Sequence, residues 1–354
     1  MQNLLKRIAI SLFLGANICT IVLLWLCVAL TFVSPEHLPR FSLLTLAFPI
    51  FLCADLLFAA FWLLFHPRLA WLPIVGILAV GGYVLDYCPL HLASSQSEAH
   101  DSTTLSIITF NVGNMKTEEQ MEELLRFIST ANADIVCLQE IPNHFFKKRQ
   151  QWLDSTAYHT LQGKTIAFLS RHPFLSDTIH IDYPTRSNHS LACWIGYRGD
   201  SILFVNNHLE SNHLSPEEKD EYTNAIIEPG REAIRHSSHM LLGKLSEAAA
   251  YRGTQTDTVC SLIDRSAGHS IIFCGDLNET PISYTYQQLD RRLNSAYRQA
   301  GTGPGFTFSQ RSFPVRIDHL FYSDDWTCTS CTIDRTVSSS DHYPLIVHLS
   351  KKEH

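Results

Sequence analysis

The chain changes character near residue 90. From Ile8 to Val33 no charged residue interrupts an apolar run, and from Phe41 to Phe65 a second run is broken only by Asp55. Each is long enough to cross a hydrocarbon core of about 30 Å as a helix. A third stretch, 69–88, contains Pro73 and Gly81-Gly82 and ends near Asp86, features that membrane helices tolerate. The pattern predicts helices over about 8–33, 41–65 and 69–88 within a transmembrane region 1–90. The first run exceeds the h-region of a signal peptide and a second follows directly, so it reads as a retained anchor. No second intramembrane acid or base stands out as a partner for Asp55, which fits a helix-packing or interfacial role.

Beyond it the periodicity alternates. Residues 91–102 are polar and Ser-rich, as in a short linker. Leu105–Asn111 and Ile135–Gln139 read as strands flanking a helix over Thr117–Thr130, whose apolar positions Met121, Leu124, Leu125 and Ile128 fall on one face. Further strands are expected at Thr165–Ser170, Ser190–Tyr197, Ser201–Asn207, Ser270–Cys274, Ile317–Tyr322 and Leu345–Leu349, with 215–265 mostly helical. This is a layered α/β domain over 103–351, large enough for one core.

Charge changes the picture in two ways. Of 27 basic and 34 acidic residues, only Lys6, Arg7, Arg40, Arg68 and Glu36, Asp55, Asp86 lie before residue 90, which leaves 23 and 31 downstream. An acidic domain lacks the basic stripe of a tight nucleic-acid binder. With Lys6, Arg7 and Arg68 held inside, three spans place everything after residue 90 outside, and the absence of Lys and Arg from Ala70 to Met115 fits that translocation. Of the ten cysteines, Cys137, Cys193 and Cys274 sit in strand-like apolar runs as core residues. Cys328-x-x-Cys331 has no second pair to complete a zinc site and reads as a loop.

Polar residues collect at the ends of these strands, where α/β folds gather their sites. Asn111 in TFNVGN, Glu140 in DIVCLQE, His208 in NNHLES, Asp276 and Asn278 in GDLNETP and His342 in SSDHYPL are the candidates. Singly, each also reads as a turn residue, a helix-start acid or a structural histidine. Together, carboxylate, amide and imidazole groups are what phosphodiester hydrolysis requires: ligands for a hard cation, a group to activate water and a proton source for the leaving oxygen. Arg186, in PTRSNHSLACW, is a candidate phosphate contact. His236 and His239 lack an obvious third ligand.

On Asn111, Gln139-Glu140, Asn207-His208-Leu209, Gly275-Asp276-Leu277-Asn278, Arg316-Ile317-Asp318-His319 and Ser340-Asp341-His342, in that order, the sequence resembles the endonuclease/exonuclease/phosphatase (DNase I-like) superfamily over about Leu105–Leu349. The resemblance implies a four-layer α/β/β/α sandwich of two mixed β-sheets, here preceded by about three transmembrane helices, and a hydrolase acting on phosphoester bonds. It makes Glu140 the principal ligand of Mg²⁺, or of Mn²⁺ or Ca²⁺, with Asn111 beside it and Asp341 at or just outside the metal shell. Asp276 would activate water, Asn278 would bond a phosphate oxygen, and His342, oriented by Asp318, would contact phosphate or act as base. His208 would assist the leaving group. The choice of base between Asp276 and His342 stays open.

The AP-endonuclease Tyr-x-Pro-Asn element and the Trp-led motif of inositol 5-phosphatases are both missing. With three apolar helices in front, GDLNETPISYTY and RIDHLFYS look like a group of membrane-anchored bacterial proteins, and the expected location of this chain is the bacterial inner membrane, multi-pass, with a periplasmic catalytic domain. A phospholipid or small phosphodiester substrate is favoured. The alternatives are an extracytoplasmic DNase I-like nuclease, a sphingomyelinase-like phospholipid phosphodiesterase and a non-catalytic binding module; no protein partner is evident. Substrate choice is expected to reside in Ser211–Gly268.

Overall fold

The computed structural model describes residues 2–91, 104–113, 115–176, 178–181, 183, 188–212, 231–308 and 314–352. The expected linker, apart from His91, and Arg186 lie outside the described residues, as do the side chains of His236 and His239.

The N-terminal part is a helical bundle. Helices α1 (Gln2–Leu30) and α3 (Phe48–Phe65) flank a short helix α2 (Pro39–Ser42), and α4 (Trp71–Leu78) and α5 (Gly81–Tyr87) form a pair bent by 65°. Two of these segments, Leu4–Leu30 and Pro39–Phe65, are long and apolar enough to cross a membrane, and the bent pair makes three if it counts as one span. Gly76 allows α4 to lie against α1: a Cβ there would stand 3.0 Å from Ile21, and Trp25 Nε1 donates to the Gly76 carbonyl at 2.9 Å. Asp55 is fully buried between α1 and α3. Its Oδ1 accepts from Thr20 Oγ1 at 2.6 Å and from Asn17 Nδ2 at 3.2 Å, while Trp62 Nε1 donates to Asn17 Oδ1 at 3.0 Å. The partners of this acid are thus a hydroxyl and an amide rather than a charge, and they tie two helices together.

The second part is a sandwich of two mixed six-stranded sheets. The strands are β1 (Thr104–Asn111), β2 (Ile135–Gln139), β3 (His159–Gln162), β4 (Ile166–Ser170), β5 (Ile179–Ile181), β6 (His189–Tyr197), β7 (Asp200–His208), β8 (Ser270–Asp276), β9 (Asn294–Ser295), β10 (Asp318–Tyr322), β11 (Trp326–Ile333) and β12 (Leu345–Lys351). One sheet runs β11-β12-β1-β2-β4-β3 and the other β5-β6-β7-β8-β10-β9. Between them lies a core that includes Ile107, Cys137, Phe168, Cys193, Phe204 and Cys274. Full burial of a phenylalanine such as Phe168 or Phe204 contributes on the order of 2 kcal/mol. Helix α6 (Glu118–Ala131) covers the first sheet through Leu124 and Ile128, and a 35-residue helix α7 (Arg231–Arg265) covers the second through Val259, Cys260 and Ile263. The start of α6 is fixed by a capping box between Thr117 and Gln120.

Cys328 and Cys331 correct the loop expectation: both are buried free thiols on β11, which carries a register shift between Cys328 and Ser330. One extra residue puts both thiols on the inner face and breaks the alternation that would have announced a strand.

The bundle and sandwich are joined at one end of the bundle. Ile282 is buried among Leu24, Cys27, Phe48 and Val80. The Asp86 carboxylate accepts from Arg298 Nη1 at 2.6 Å and Gln287 Nε2 at 3.0 Å, and Arg316 donates to the Asp86 carbonyl. Gly253 on α7 lets that helix approach the Ser34–Pro35 turn, where a Cβ would meet Ser34 Oγ at 3.0 Å.

Candidate active site

Two local constructions bring the site to one edge of the sandwich. In the first sheet the parallel pairing of β1 and β2 places Asn111 opposite Gln139, so Glu140 emerges beside Asn111. In the second, His208 pairs in register with Asp276 and Asp276 with Asp318, which lines up three polar side chains on adjacent strands. Glu140 and Asn278 adopt left-handed backbone, φ +55° and +51°, an uncommon state for residues with a side chain and one found at functional turns. Gly275 has φ +132°, and a Cβ there would lie 2.0 Å from the Asn207 carbonyl oxygen. Only glycine lets β8 come this close to β7 before Asp276.

The sheets meet across hydrogen bonds. Asn111 Nδ2 donates to Asp276 Oδ2 at 2.9 Å and to Glu140 Oε1 at 3.2 Å, drawing two carboxylates from opposite sheets toward one point. Just behind, Gln139 Nε2 donates to Asn206 Oδ1 at 2.6 Å, and Asn206 Nδ2 donates to the Leu138 and Ala167 carbonyls. The sequence reading gave Asn206 no role; an amide in the apolar run of β7 was the only signal.

His208 Nε2 stands 3.5 Å from Glu140 Oε1 and 3.9 Å from Asp276 Oδ2, and neither ring nitrogen of this buried histidine has a hydrogen-bond partner among the described residues. His342 is held more firmly. Its Nδ1 is 2.8 Å from Asp318 Oδ2, its Nε2 3.8 Å from Asp276 Oδ2, and its ring packs edge-on against Phe308. Burial opposes protonation of His342, but the charges of Asp318 and Asp276 prevail and lift it to about 10. Burial, followed by the Asp318 charge, raises Asp276 above the usual carboxylate range, against the pull of His342 and His208.

Of the expected residues, Asn111, Glu140, His208, Asp276, Asp318 and His342 converge. Asp341 is exposed beside the turn after Asn111, where its Oδ1 would lie 3.4 Å from a Cβ at Gly113, and its charge adds to the lift on His342. Ser340 links the same turn to His342, its hydroxyl donating to the Asn111 carbonyl and accepting from the His342 amide. Asn278 turns its amide onto the Leu209 carbonyl at 3.1 Å, and its backbone N–H donates to Asp276 Oδ1 at 2.8 Å. It therefore braces the loops that carry His208 and Asp276. His342 precedes β12 rather than ending a strand. A buried ion pair, Arg252 Nε to Glu279 Oε1 at 2.7 Å, was not anticipated from the sequence.

Among the described residues neither Glu140 nor Asp276 pairs with a Lys or Arg. Two carboxylates bridged by one amide, with Glu140 about one-third exposed, suit a hard cation bound partly through water and substrate. Asp276, Asp318 and His342 also place one ligand atom each within 4.8 Å of one another. There, however, the short Asp318–His342 contact and the protonated ring oppose metal binding, so the Glu140 side is the better fit.

A family model described as the Endonuclease/Exonuclease/phosphatase family matches residues 108–342, and a second, described as a domain of unknown function, matches residues 10–87. No curated protein sequence matches the chain. Among solved structures, a humanized D. rerio TDP2 aligns with a TM-score of 0.52 at 17% identity, covering 70% of this chain and 100% of its own. The human Nocturnin catalytic domain with a bound sulfate anion aligns with a TM-score of 0.52 at 19% identity, covering 71% and 95%. An endonuclease/exonuclease/phosphatase from Beutenbergia cavernae gives 0.52 at 17% identity, covering 70% and 72%. At these identities the likeness is one of fold.

Proposed function

The chain belongs to the endonuclease/exonuclease/phosphatase family of hydrolases, and from this we propose that it is a membrane-anchored, divalent-metal-dependent phosphodiesterase that cleaves by in-line attack of water. The observation that carries the reading is the Asn111 amide held between Glu140 and Asp276 at the junction of the two sheets. Glu140, with Asn111 and Asp341 beside it, would hold Mg²⁺ or a similar ion, which neutralises charge developing on the phosphoryl oxygens.

The protein groups then divide the work by protonation state. His342, lifted to about 10, is an imidazolium at neutral pH and donates from Nε2 to a phosphate oxygen, while Asp318 accepts from Nδ1 and holds the ring in place. That leaves Asp276 as the group that orients and deprotonates water. His208, between Glu140 and Asp276, is placed to give a proton to the departing oxygen. Asn278 supports this geometry through its bonds to Leu209 and Asp276 and offers its remaining N–H to phosphate.

The bundle supports an anchoring region over 1–90 and a catalytic domain over 103–351. The end of α1, the start of α3 and the end of α5 all lie on the sandwich side, whereas Lys6, Arg7 and Arg68 lie toward the opposite end. With those cations cytoplasmic, the domain stands on the outer, periplasmic face.

The reading is tested on the full-length chain in detergent with bis-p-nitrophenyl phosphate. Turnover with Mg²⁺, abolished by EDTA and lost in Glu140→Ala and in His342→Ala, is expected; turnover indifferent to EDTA and to both substitutions would sink it.

A further inference from the structure

The catalytic loop does not stand clear of the helices. Asp276 lies in the site, and Ile282, six residues on, is buried in the apolar interior of the bundle against Leu24, Phe48 and Val80. Six residues of extended chain span at most about 22 Å, which caps the distance between the Asp276 backbone and a point inside the helices. Leu24 is six positions before the end of α1 and Phe48 begins α3, so Ile282 reaches the level of side chains on the outer surface of the same helices. Trp25 and Phe32 there are 45% and 57% exposed. Between Asp276 and Ile282, Asn278 and Glu279 line a crevice of about 40 Å³ whose opposite wall is Leu30, Ser42 and Leu46 of the bundle. The loop that leaves the site after Asp276 is therefore built against the ends of the spans.

The headgroup layer of a bilayer is about 5–8 Å thick on each side of the hydrocarbon, and lipid phosphates lie within it. Exposed residues at this end of the bundle match such a layer: Phe41 is 64% exposed and Leu38 41%, apolar groups suited to the interface. The Arg291 guanidinium stands 4.6 Å over the Phe32 ring, a cation held at that level by an aromatic face.

Building on the phosphodiesterase reading, we propose that the substrate is a diester phospholipid, cleaved while its acyl chains remain in the bilayer. Water oxygen bonds to phosphorus as one P–O ester bond breaks, and the departing oxygen takes a proton in place of the one water loses. Cleavage leaves a phosphomonoester on one product and a free hydroxyl on the other, and at least one product stays in the membrane.

The test uses the full-length chain with Mg²⁺ and mixed micelles of an alkyl glycoside with phosphatidylglycerol, phosphatidylethanolamine and cardiolipin. The deacylated counterparts of these lipids, a single-stranded DNA oligonucleotide and bis-p-nitrophenyl phosphate are assayed at equal diester concentration. Mass spectrometry of the products is expected to show a lipid diester consumed at least about tenfold faster than its deacylated form, with the rate falling as detergent lowers its mole fraction. A deacylated diester or DNA cleaved as fast as any lipid would overturn the inference. So would turnover of bis-p-nitrophenyl phosphate without any of lipid, an outcome that leaves the phosphodiesterase reading standing. Silence on every diester would remove both.

Discussion

His342 Nδ1, just before β12 of one sheet, and Asp318 Oδ2, on β10 of the other, are 2.8 Å apart, and this contact helps to keep the imidazole protonated up to about pH 10. Because the folded-state value is raised, the ion pair's stabilisation is complete below the free imidazole range near 6.5 and is lost as pH rises through about 10. If His342 binds phosphate as a cation, activity follows the same limb. Asp318→Asn is expected to lower kcat by roughly 10²–10⁴ and to move the alkaline limb toward neutrality in a pH–rate profile. An alkaline limb unchanged in Asp318→Asn would refute the assignment.

Glu140 is the carboxylate most open to solvent in the cluster and the one assigned to the cation. Glu140→Gln keeps the shape and removes the charge, so the Mg²⁺ concentration for half-maximal rate is expected to rise more than about tenfold, with kcat lower by on the order of 10²–10³. Titration calorimetry with Mn²⁺ checks the binding directly. Asp318→Asn in the same titration is expected to bind the ion nearly as well as the parent, which separates the Glu140 side from the alternative cluster of Asp276, Asp318 and His342.

Much of this site could be read from the sequence because strand ends are local features: apolar runs such as Ile135–Gln139 and Ser270–Cys274 stop at Glu140 and Asp276. Their meeting could not be read from periodicity, since Asn111 and Asp276 join across the two sheets from 165 positions apart. Asn278 makes a contact that its motif does not announce. Its motif suggests a phosphate contact, and the left-handed turn it occupies directs its amide to Leu209 as well. The same limit hid β11, where a bulge cancels the alternation, and Asp86, whose partners Gln287, Arg298 and Arg316 lie some two hundred residues away.

Gly275→Ala is expected to be among the most destabilising small substitutions in the domain. A Cβ at φ +132° meets the Asn207 carbonyl oxygen at 2.0 Å, and both groups belong to central strands that cannot separate without disturbing His208 and Asp276. A loss of about 3 kcal/mol or more is expected. Gly199→Ala is the control: φ is +87° and nothing lies within 4 Å, so only backbone strain remains, about 1 kcal/mol. Denaturant melts of the two variants in the same detergent should differ accordingly, and equal losses would contradict the close approach of β7 and β8.

The bundle packs against the sandwich, so removing residues 1–91 should weaken what is left. Such a truncation exposes Ile282 and takes away the Asp86 carbonyl and carboxylate from Arg316 and Arg298. Arg316 is 2% exposed and also donates to the Pro304 carbonyl at 2.9 Å beneath Tyr297. Its guanidinium would lose one of its carbonyl partners on the side that the bundle covers. The loop 278–283 would lose its seat at the same time, and with it the support of Asn278 for the Asp276 turn. The truncated domain is expected to melt well below the full-length chain and to lose turnover of bis-p-nitrophenyl phosphate by at least about tenfold, although it retains every residue assigned to chemistry. Asp86→Ala in the full chain should show the same direction more weakly, because Arg298 is 40% exposed and water replaces part of its pair. A truncated domain as stable and as active as the full chain would mean that the bundle only tethers the enzyme.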